Sequence, residues 1–273
     1  MSSTVLPSNS SDVGHRSAIA ELSSLSRSAI DLEVIIPAYN EEQRLPRTIL
    51  RTARLLAERP WNSRIVVVDN GSVDATPAIG SVRGDEAFGV PLHVMGCAEP
   101  GKGAAVRRGM LTSRATYVGY MDADLATPVE ALDGVMSSFA SGADVVVGSR
   151  RAPGAGYAVP PTTTRRLGTT LFSGIGRQLA PGVADTQCGF KFFRGEIAYR
   201  VLERCTTNGF AFDLELLALA LRDGCDVREL PVYWTAQPGS TFRVVRDGIP
   251  SFASALRLLS SMGRTPARTV AHA

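Results

Sequence analysis

Between residues 33 and 149, apolar positions fall in short Val/Ile-rich runs, each followed by a longer stretch with helical spacing. The runs at 33–37, 64–69, 91–95, 116–121 and 143–148 predict strands. The stretches near 42–58, 74–82, 102–114 and 128–140 predict helices. Unbroken β-branched runs suit strands covered on both faces. Alternating strands and helices with short joins suit parallel strands linked by right-handed crossovers. The expected fold class is α/β, a doubly wound, mostly parallel sheet with helices on both faces. Pro128 fits the first turn of the fourth helix, with Thr127 as its N-cap.

The pattern changes after Arg150. Ala152 to Thr164 is rich in Gly, Pro and Thr and reads as a mobile loop. A helix over 165–179, a strand over 190–193, helices over 195–205 and 213–222, and a strand over 227–234 follow. From Ile249 to Met262 the apolar residues Ile249, Phe252, Ala255, Leu256, Leu259 and Met262 share one helical face, flanked by Arg257 and Arg264. The domain reading is a disordered, Ser-rich tail over 1–30, one catalytic domain over 31–248, and an amphipathic helix and tail over 249–273.

Composition narrows the class without naming it. A chain of 273 residues with 44% hydrophobic content can bury the core of one α/β domain. No apolar run reaches the roughly 18–20 residues that span a bilayer, and the N-terminal stretch lacks the apolar segment of a secretory signal. Cys97, Cys188, Cys205 and Cys225 form no Cys-x-x-Cys pair, which points to free thiols in a reducing cytosol. His15, His93 and His272 have no Ser or Cys partner in a motif, which argues against a hydrolase triad. Charge divides the chain: 13 Lys/Arg against 17 Asp/Glu before residue 150 give a net −4, and 16 against 9 afterwards give +7. A basic C-terminal half suits a phosphate or an anionic membrane surface as partner.

The chemistry sits at predicted strand ends. Asp122 and Asp124 close the run Tyr117 to Met121. Two carboxylates two residues apart make a seat for a hard divalent cation that keeps positions for phosphate oxygens. Asp69 ends the run Ile65 to Val68, where it can accept from the edge of a base or begin the turn Asp-Asn-Gly-Ser. Gly101-Lys102-Gly103 opens a helix and lets backbone approach phosphate, with Lys102 as a point charge. It has neither Walker-loop nor dinucleotide-fingerprint spacing. Asp185 to Lys191 is denser in polar groups than a plain turn requires. Asp213 reads as a helix-start cap, whereas Glu215 is only partly explained that way.

Taken together, these residues resemble the inverting, family 2 nucleotide-sugar glycosyltransferases of the GT-A (Rossmann-like) fold. More narrowly, they look like the dolichyl- or polyprenyl-phosphate β-glucosyltransferases, with the dolichyl-phosphate mannose synthases as a neighbouring branch. The resemblance spans roughly 32–245. It rests on Val-Ile-Ile-Pro-Ala-Tyr-Asn-Glu-Glu with Arg44-Leu45-Pro46, Val-Val-Asp-Asn-Gly-Ser, Gly101-Lys102-Gly103, Asp122-Ala123-Asp124, Gly148-Ser149-Arg150, Asp185-Thr-Gln-Cys-Gly-Phe-Lys, Phe212-Asp-Leu-Glu-Leu-Leu and Glu229-Leu-Pro-Val-Tyr-Trp.

The resemblance implies a metal-dependent transfer of a hexose, glucose from UDP-glucose, to a polyprenyl phosphate. Pro37, Ala38, Tyr39, Glu41, Asp69, Lys102 and Asp122 would bind the donor. Asp122 and Asp124 would hold Mg2+ or Mn2+. Arg150, Arg165, Arg166 and Gln187 would meet the acceptor phosphate, and Asp213 and Arg150 would be the catalytic pair. Three positions depart from the family pattern. Asn70 stands for a second Asp, a change expected to alter the turn only mildly. Ala126 stands where mannosyl members carry Gln. Thr241 replaces a Lys after Gly239-Ser240, with Arg243 as a substitute. The implied setting is cytoplasmic, with peripheral contact on the inner face of the membrane, no nucleic-acid partner, and an open oligomeric state. A soluble small-molecule acceptor and a nucleotidyltransferase are the alternatives.

Overall fold

The computed structural model describes residues 30–79, 88–157, 174–235, 248–265 and 270–272. Along the first half, β1 (Leu32–Ala38), α1 (Leu45–Ala57), β2 (Ser63–Asp69), α2 (Thr76–Ile79), β3 (Leu92–Gly96), α3 (Lys102–Leu111), β4 (Tyr117–Met121), α4 (Ala131–Ala140) and β5 (Val145–Ser149) alternate as the hydrophobic pattern predicts. The second half adds β6 (Gly156–Tyr157), β7 (Phe190–Arg194), α5 (Gly195–Leu202), α6 (Phe212–Arg222), β8 (Val227–Pro231), β9 (Tyr233–Trp234), α7 (Ile249–Met262) and β10 (Ala271–His272).

Among the described residues, eight strands form one sheet in the order β10-β8-β5-β7-β4-β1-β2-β3. All pairings are parallel except those of β7, which runs antiparallel between β4 and β5. The chain steps outward from β1 to β2 and β3, then places β4 on the other side of β1. That reversal opens a crevice at the carboxyl ends of β1 and β4, where open α/β sheets bind ligands. The reversed direction of β7 also matters. It pairs Phe190 with Met121, so the turn entering β7 arrives beside the carboxylates that follow β4.

Hydrophobic residues pack on both faces. One cluster joins Ile35, Val66 and Tyr120 of the sheet to Ala104 and Val106 of α3, Val201 of α5, Leu216 and Leu217 of α6, and Ala255 and Leu258 of α7. The other joins Val34, Ile36 and Phe192 to Leu45 and Ile49 of α1 and Leu132 and Val135 of α4. In α1 the buried positions Leu45, Thr48, Ile49, Thr52, Ala53 and Leu56 recur at helical spacing, and a proline in the first turn starts the helix without loss of a needed N–H. Helix α6 is buried at almost every position, and each fully buried Leu there contributes about 1.5–3 kcal/mol.

Several local expectations are corrected. The single strand expected over 227–234 divides, because Pro231 has no N–H to extend the ladder and Val232 turns its amide to the Ser149 carbonyl. Beyond that point β9 pairs with β6, so part of the loop expected over 152–164 is a two-stranded ribbon. Helix α4 begins at Ala131 rather than 128, since Pro128–Glu130 form a tighter turn. Thr127 is therefore not its N-cap; its side chain lies buried beside the Cys188 sulfur. Of the helix expected over 165–179, residues 174–179 are described and helical. The tail expected after α7 contains β10, which adds to β8 at the sheet edge. The N-terminal tail, Arg165, Arg166, Thr241 and Arg243 lie outside the described residues.

Candidate active site

The loop after β1 is fastened to the loop after β2. Asn40 takes a left-handed backbone (φ 54°), a conformation Asn tolerates better than most residues. Its amide donates to Ser72 Oγ at 2.9 Å, and its side-chain oxygen accepts from the Val73 amide at 3.0 Å. The Glu41 amide donates to Thr76 Oγ1. Glu41 then receives Arg44 through two bonds of 2.6 and 2.5 Å. A cavity of about 500 Å³ opens here, lined by Asn40, Glu41, Glu42, Gln43, Arg44, Arg47, Thr48, Asp74, Asp124 and Leu125. Of the residues expected to bind the donor or its metal, only Glu41 and Asp124 line it. Tyr39 is exposed, Pro37 and Asp69 are half-buried, and Ala38 is buried. Asp69 accepts weakly from the Ser72 amide at 3.4 Å, as a turn-starting residue would.

Asp122 and Asp124 are set by contacts from four directions. The Asp122 amide donates to the Gly189 carbonyl, and Thr48 Oγ1 of α1 donates to the Ala123 carbonyl at 2.6 Å. Asp124 accepts from the Ala126 amide, whose carbonyl in turn accepts from Thr235. Leu125 has φ 57°, a strained state for a side chain of that size. Gly189 leaves the space Asp122 occupies, because a Cβ there would meet its carboxylate at 1.9 Å. Burial, and then the nearby charge of Asp122, push the Asp124 carboxyl above its ordinary value. Burial likewise raises Glu41 against the pull of Arg44, with Asp124 and Asp122 adding to the rise. The charges of Arg44 and Lys102 do not fully offset this crowding of carboxylates. This oxygen-only pair beside an open cavity fits a hard divalent cation whose remaining ligands come from elsewhere. Among the described residues, no cluster of three or more His, Cys, Asp or Glu completes such a seat.

Beneath this pair lies a network with the opposite balance. Lys102, at the start of α3, places Nζ 2.8 Å from Asp122 Oδ1 and 3.8 Å from Asp213. Lys191, wholly buried on β7, donates to Asp213 Oδ1 and to the Cys188 carbonyl, each at 2.6 Å. The Tyr120 hydroxyl also donates to Asp213. Both ammonium groups lie against the Tyr120 ring, at 5.5 and 5.7 Å from its centre. Burial alone would raise the Asp213 carboxyl, but Lys102, Lys191 and Tyr120 outweigh it and hold it below its ordinary value. Asp213 is only 2% exposed. Both hydrogen bonds fall on Oδ1, and Oδ2 has Lys102 3.8 Å away. Glu215, the next acidic residue of α6, accepts from the Thr206 and Thr207 amides and from the Thr206 hydroxyl. It holds the 206–208 loop, whose Asn208 carbonyl caps the Gly103 amide.

The surroundings of Arg150 are equally fixed. Arg150 meets Asp185 through Nε at 2.6 Å and a terminal nitrogen at 2.8 Å, and stacks 5.7 Å from the Trp234 ring centre. Asp185 is held below its ordinary value because this guanidinium overcomes the cost of burial. Glu229, fully buried on β8, accepts from the Ala184 and Asp185 amides and pins the turn. Gln187 lies half-buried in that turn, with its amide on Asp185. The 185–189 segment thus ties Arg150 to the carboxylates at the end of β4.

Sequence reasoning named Lys191 and Glu229 only within motifs, without a role, and missed Tyr120, since a tyrosine inside an apolar strand carries no motif of its own. It also underrated Asn70. The Asn70 amide nitrogen donates to the Glu99 and Cys97 carbonyls at 2.6 and 3.3 Å, and its oxygen accepts from the Gly101 amide at 2.7 Å. Asn70 therefore clamps the loop that delivers Lys102, a task beyond shaping its own turn.

Comparison with known proteins agrees with this geometry. Residues 33–202 match the family model described as Glycosyl transferase family 2. The chain is 31% identical over 225 residues to a dolichyl-phosphate beta-glucosyltransferase of Dictyostelium discoideum, covering 77% of this chain and 68% of that protein. It is 32% identical over 241 residues to the Saccharomyces cerevisiae protein of the same description, covering 81% and 71%. The human counterpart is 31% identical over 227 residues, covering 77% and 68%. A crystal structure of Mycobacterium tuberculosis glucosyl-3-phosphoglycerate synthase with Mn2+, uridine diphosphate and glucosyl-3-phosphoglycerate superposes with a TM-score of 0.62 at 18% identity, covering 96% of this chain and 88% of that one. That likeness establishes the fold, which is of the GT-A glycosyltransferase type. The family match favours sugar transfer over nucleotidyl transfer.

Proposed function

This chain belongs to glycosyl transferase family 2, and from that premise we propose that it moves glucose from UDP-glucose to a polyprenyl phosphate with inversion at the anomeric carbon. The observation that carries the reading is the state of Asp213. A hydroxyl acceptor must lose a proton as it attacks, and Asp213, the candidate base, is buried, takes hydrogen bonds from Lys191 and Tyr120 on Oδ1, and is made a weaker base by the two lysines beside it. A phosphate acceptor is already anionic and needs placement rather than deprotonation. The described relatives, named for glucose transfer to dolichyl phosphate, support the same acceptor class.

In this reading Asp122 and Asp124 hold Mg2+ or Mn2+, which when bound would supply charge to offset the departing diphosphate. Lys102 adds a point charge on the same side. The loop of Pro37, Ala38, Tyr39 and Glu41, with Asp69, receives the nucleoside. Arg150, set by Asp185 and Trp234, meets the acceptor phosphate near Gln187, with Arg165 and Arg166 as further candidates. A guanidinium fixed beforehand loses little entropy on binding an anion. Incubation with a panel of nucleotide sugars and either metal, with and without a short polyprenyl phosphate, tests the proposal. Glucosyl transfer from UDP-glucose that requires the lipid phosphate supports it. Transfer to a soluble hydroxyl acceptor overturns it.

No helix among the described residues is long and apolar enough to cross a membrane. Helix α7 packs Ala255 and Leu258 inward and leaves Phe252 and Leu256 at 37% and 46% exposure, with Arg257 exposed alongside. We assign this face to peripheral contact with an anionic membrane, where apolar burial and basic charge act together. The expected result is flotation with anionic vesicles at low salt that high salt weakens. Indifference to such vesicles removes the assignment.

A further inference from the structure

The ammonium of Lys102 occupies the position of a counter-cation. It lies 2.8 Å from Asp122 Oδ1, is 16% exposed, and has Asp213 on its inner side at 3.8 Å. The seat it touches has two carboxylates and, among the described residues, no third ligand of the usual metal-binding types. A bare divalent ion that takes Asp122 Oδ1 breaks the Lys102–Asp122 pair, and an ion held by Asp122 at all meets the ammonium's charge beside it while gaining few protein ligands in return. An ion arriving with a diphosphate brings its own oxygen ligands, and those anionic oxygens also accept the displaced ammonium. The loop before Lys102 is clamped by Asn70 and the turn of 206–208, so the ammonium does not retreat by movement of its backbone.

We propose that Lys102 is an internal gate on the carboxylate seat: it keeps Asp122 paired in the nucleotide-free enzyme, so that the divalent ion is taken up with the nucleotide diphosphate and not before it. The inference rests on the assignment of Asp122 and Asp124 as the metal seat, and the test separates the two. Binding of Mn2+ to the full chain is followed through the paramagnetic resonance signal of the free ion, with and without UDP, for wild type, Lys102→Met and Lys102→Arg. Without UDP, Lys102→Met binds Mn2+ about tenfold or more tightly than wild type, equivalent to about 1.4 kcal/mol or more. Lys102→Arg, which keeps the charge, stays near wild type. UDP strengthens Mn2+ binding far more in wild type than in Lys102→Met, as the coupling between the two ligands requires.

Adding Asp124→Asn distinguishes the failures. If wild type and Lys102→Met bind Mn2+ alike and Asp124→Asn abolishes both, the seat stands and the gate is wrong. If Lys102→Met/Asp124→Asn still binds Mn2+ tightly, the ion lies elsewhere and the seat assignment falls. Wild type alone also decides the matter: Mn2+ affinity that UDP leaves unchanged overturns the gate whatever the variants do.

Discussion

At the mouth of the crevice, Asp124 and Glu41 have carboxyls raised by burial and by their acidic neighbours. A few ångströms below, Asp213 is more deeply buried, yet Lys102, Lys191 and Tyr120 hold its carboxyl down. The same chemical group therefore has opposite electrostatic surroundings at two levels of one sheet edge. At the upper level Arg44 and Lys102 do not offset burial and the crowding of three carboxylates, and a ligand can bring the positive charge that remains wanting. The lower level already holds its positive charge and has no capacity left for one. A motif match treats all of these as acidic site residues. The charge balance around each shows which of them await a partner and which form the frame.

The largest effect is expected at the lower level. Lys191→Met removes the buried cation from Asp213 and leaves that carboxylate with Lys102 and Tyr120 only. Breaking a buried pair by deleting one partner costs about 3–5 kcal/mol, so urea unfolding shows a loss of that order. A loss under about 1 kcal/mol means that the cluster is not a buried ion network, since that is the range of exposed pairs.

The upper level reverses the outcome. Asp124→Asn removes a like-charge neighbour of Asp122 and leaves the hydrogen bond from the Ala126 amide available. Stability is expected to hold or rise slightly. Transfer falls by about 10²–10³, the scale for losing one centre of transition-state charge stabilisation. Retention of more than a tenth of wild-type turnover with metal present excludes Asp124 from the seat.

The same contrast explains what could be read beforehand. The strand runs ending at Ala38 and Asp69 were legible because parallel β-strands buried on both faces leave continuous Val/Ile stretches, and the run ending at Met121 as a short uncharged stretch of Tyr, Val and Met. Asp122, Asp124 and Glu41 were legible because they sit at the ends of those runs. At the lower level Asp213 and Lys102 were named, but their assembly with Lys191 and Tyr120 was not legible, because it depends on β7 running antiparallel. Only that direction brings Lys191 opposite Tyr120 and the 185–189 turn beside Met121. Strand direction after a long irregular segment leaves no local signal. The break at Pro231 was available in the sequence, yet the apolar run through Trp234 obscured it.

A smaller effect joins the two levels through Asn70. Asn70→Asp keeps the acceptor for the Gly101 amide but sets a carboxylate against the Glu99 and Cys97 carbonyls. Losing this half-buried donor costs about 0.5–1.5 kcal/mol, the net worth of an ordinary hydrogen bond. The expected result is that loss in urea unfolding at neutral pH, with weaker protection of the Lys102 amide in hydrogen exchange. Unchanged stability and exchange show that the clamp carries no energy.

The smallest effect is a difference in acid titration between the levels. Asp213 and Asp185 have folded-state carboxyls below their unfolded value of 3.8. Their contribution to stability is complete above that value and is lost as pH falls through the depressed folded values, because the unfolded chain then binds protons that the folded one resists. Asp124 and Glu41 are raised, so the sign is opposite. The folded state takes up their protons first, and stability rises as pH falls through those raised values toward the unfolded ones. Wild-type stability measured by urea unfolding from neutral pH downward should thus hold or rise gently until about pH 4, the ordinary carboxylate range, and then decline. Asp124→Asn flattens the gentle part and leaves the decline. Asp213→Asn lowers stability throughout and makes the decline below pH 4 shallower. If Asp213→Asn leaves the acid slope unchanged, Asp213 titrates normally in the folded protein and the distinction between the two levels fails.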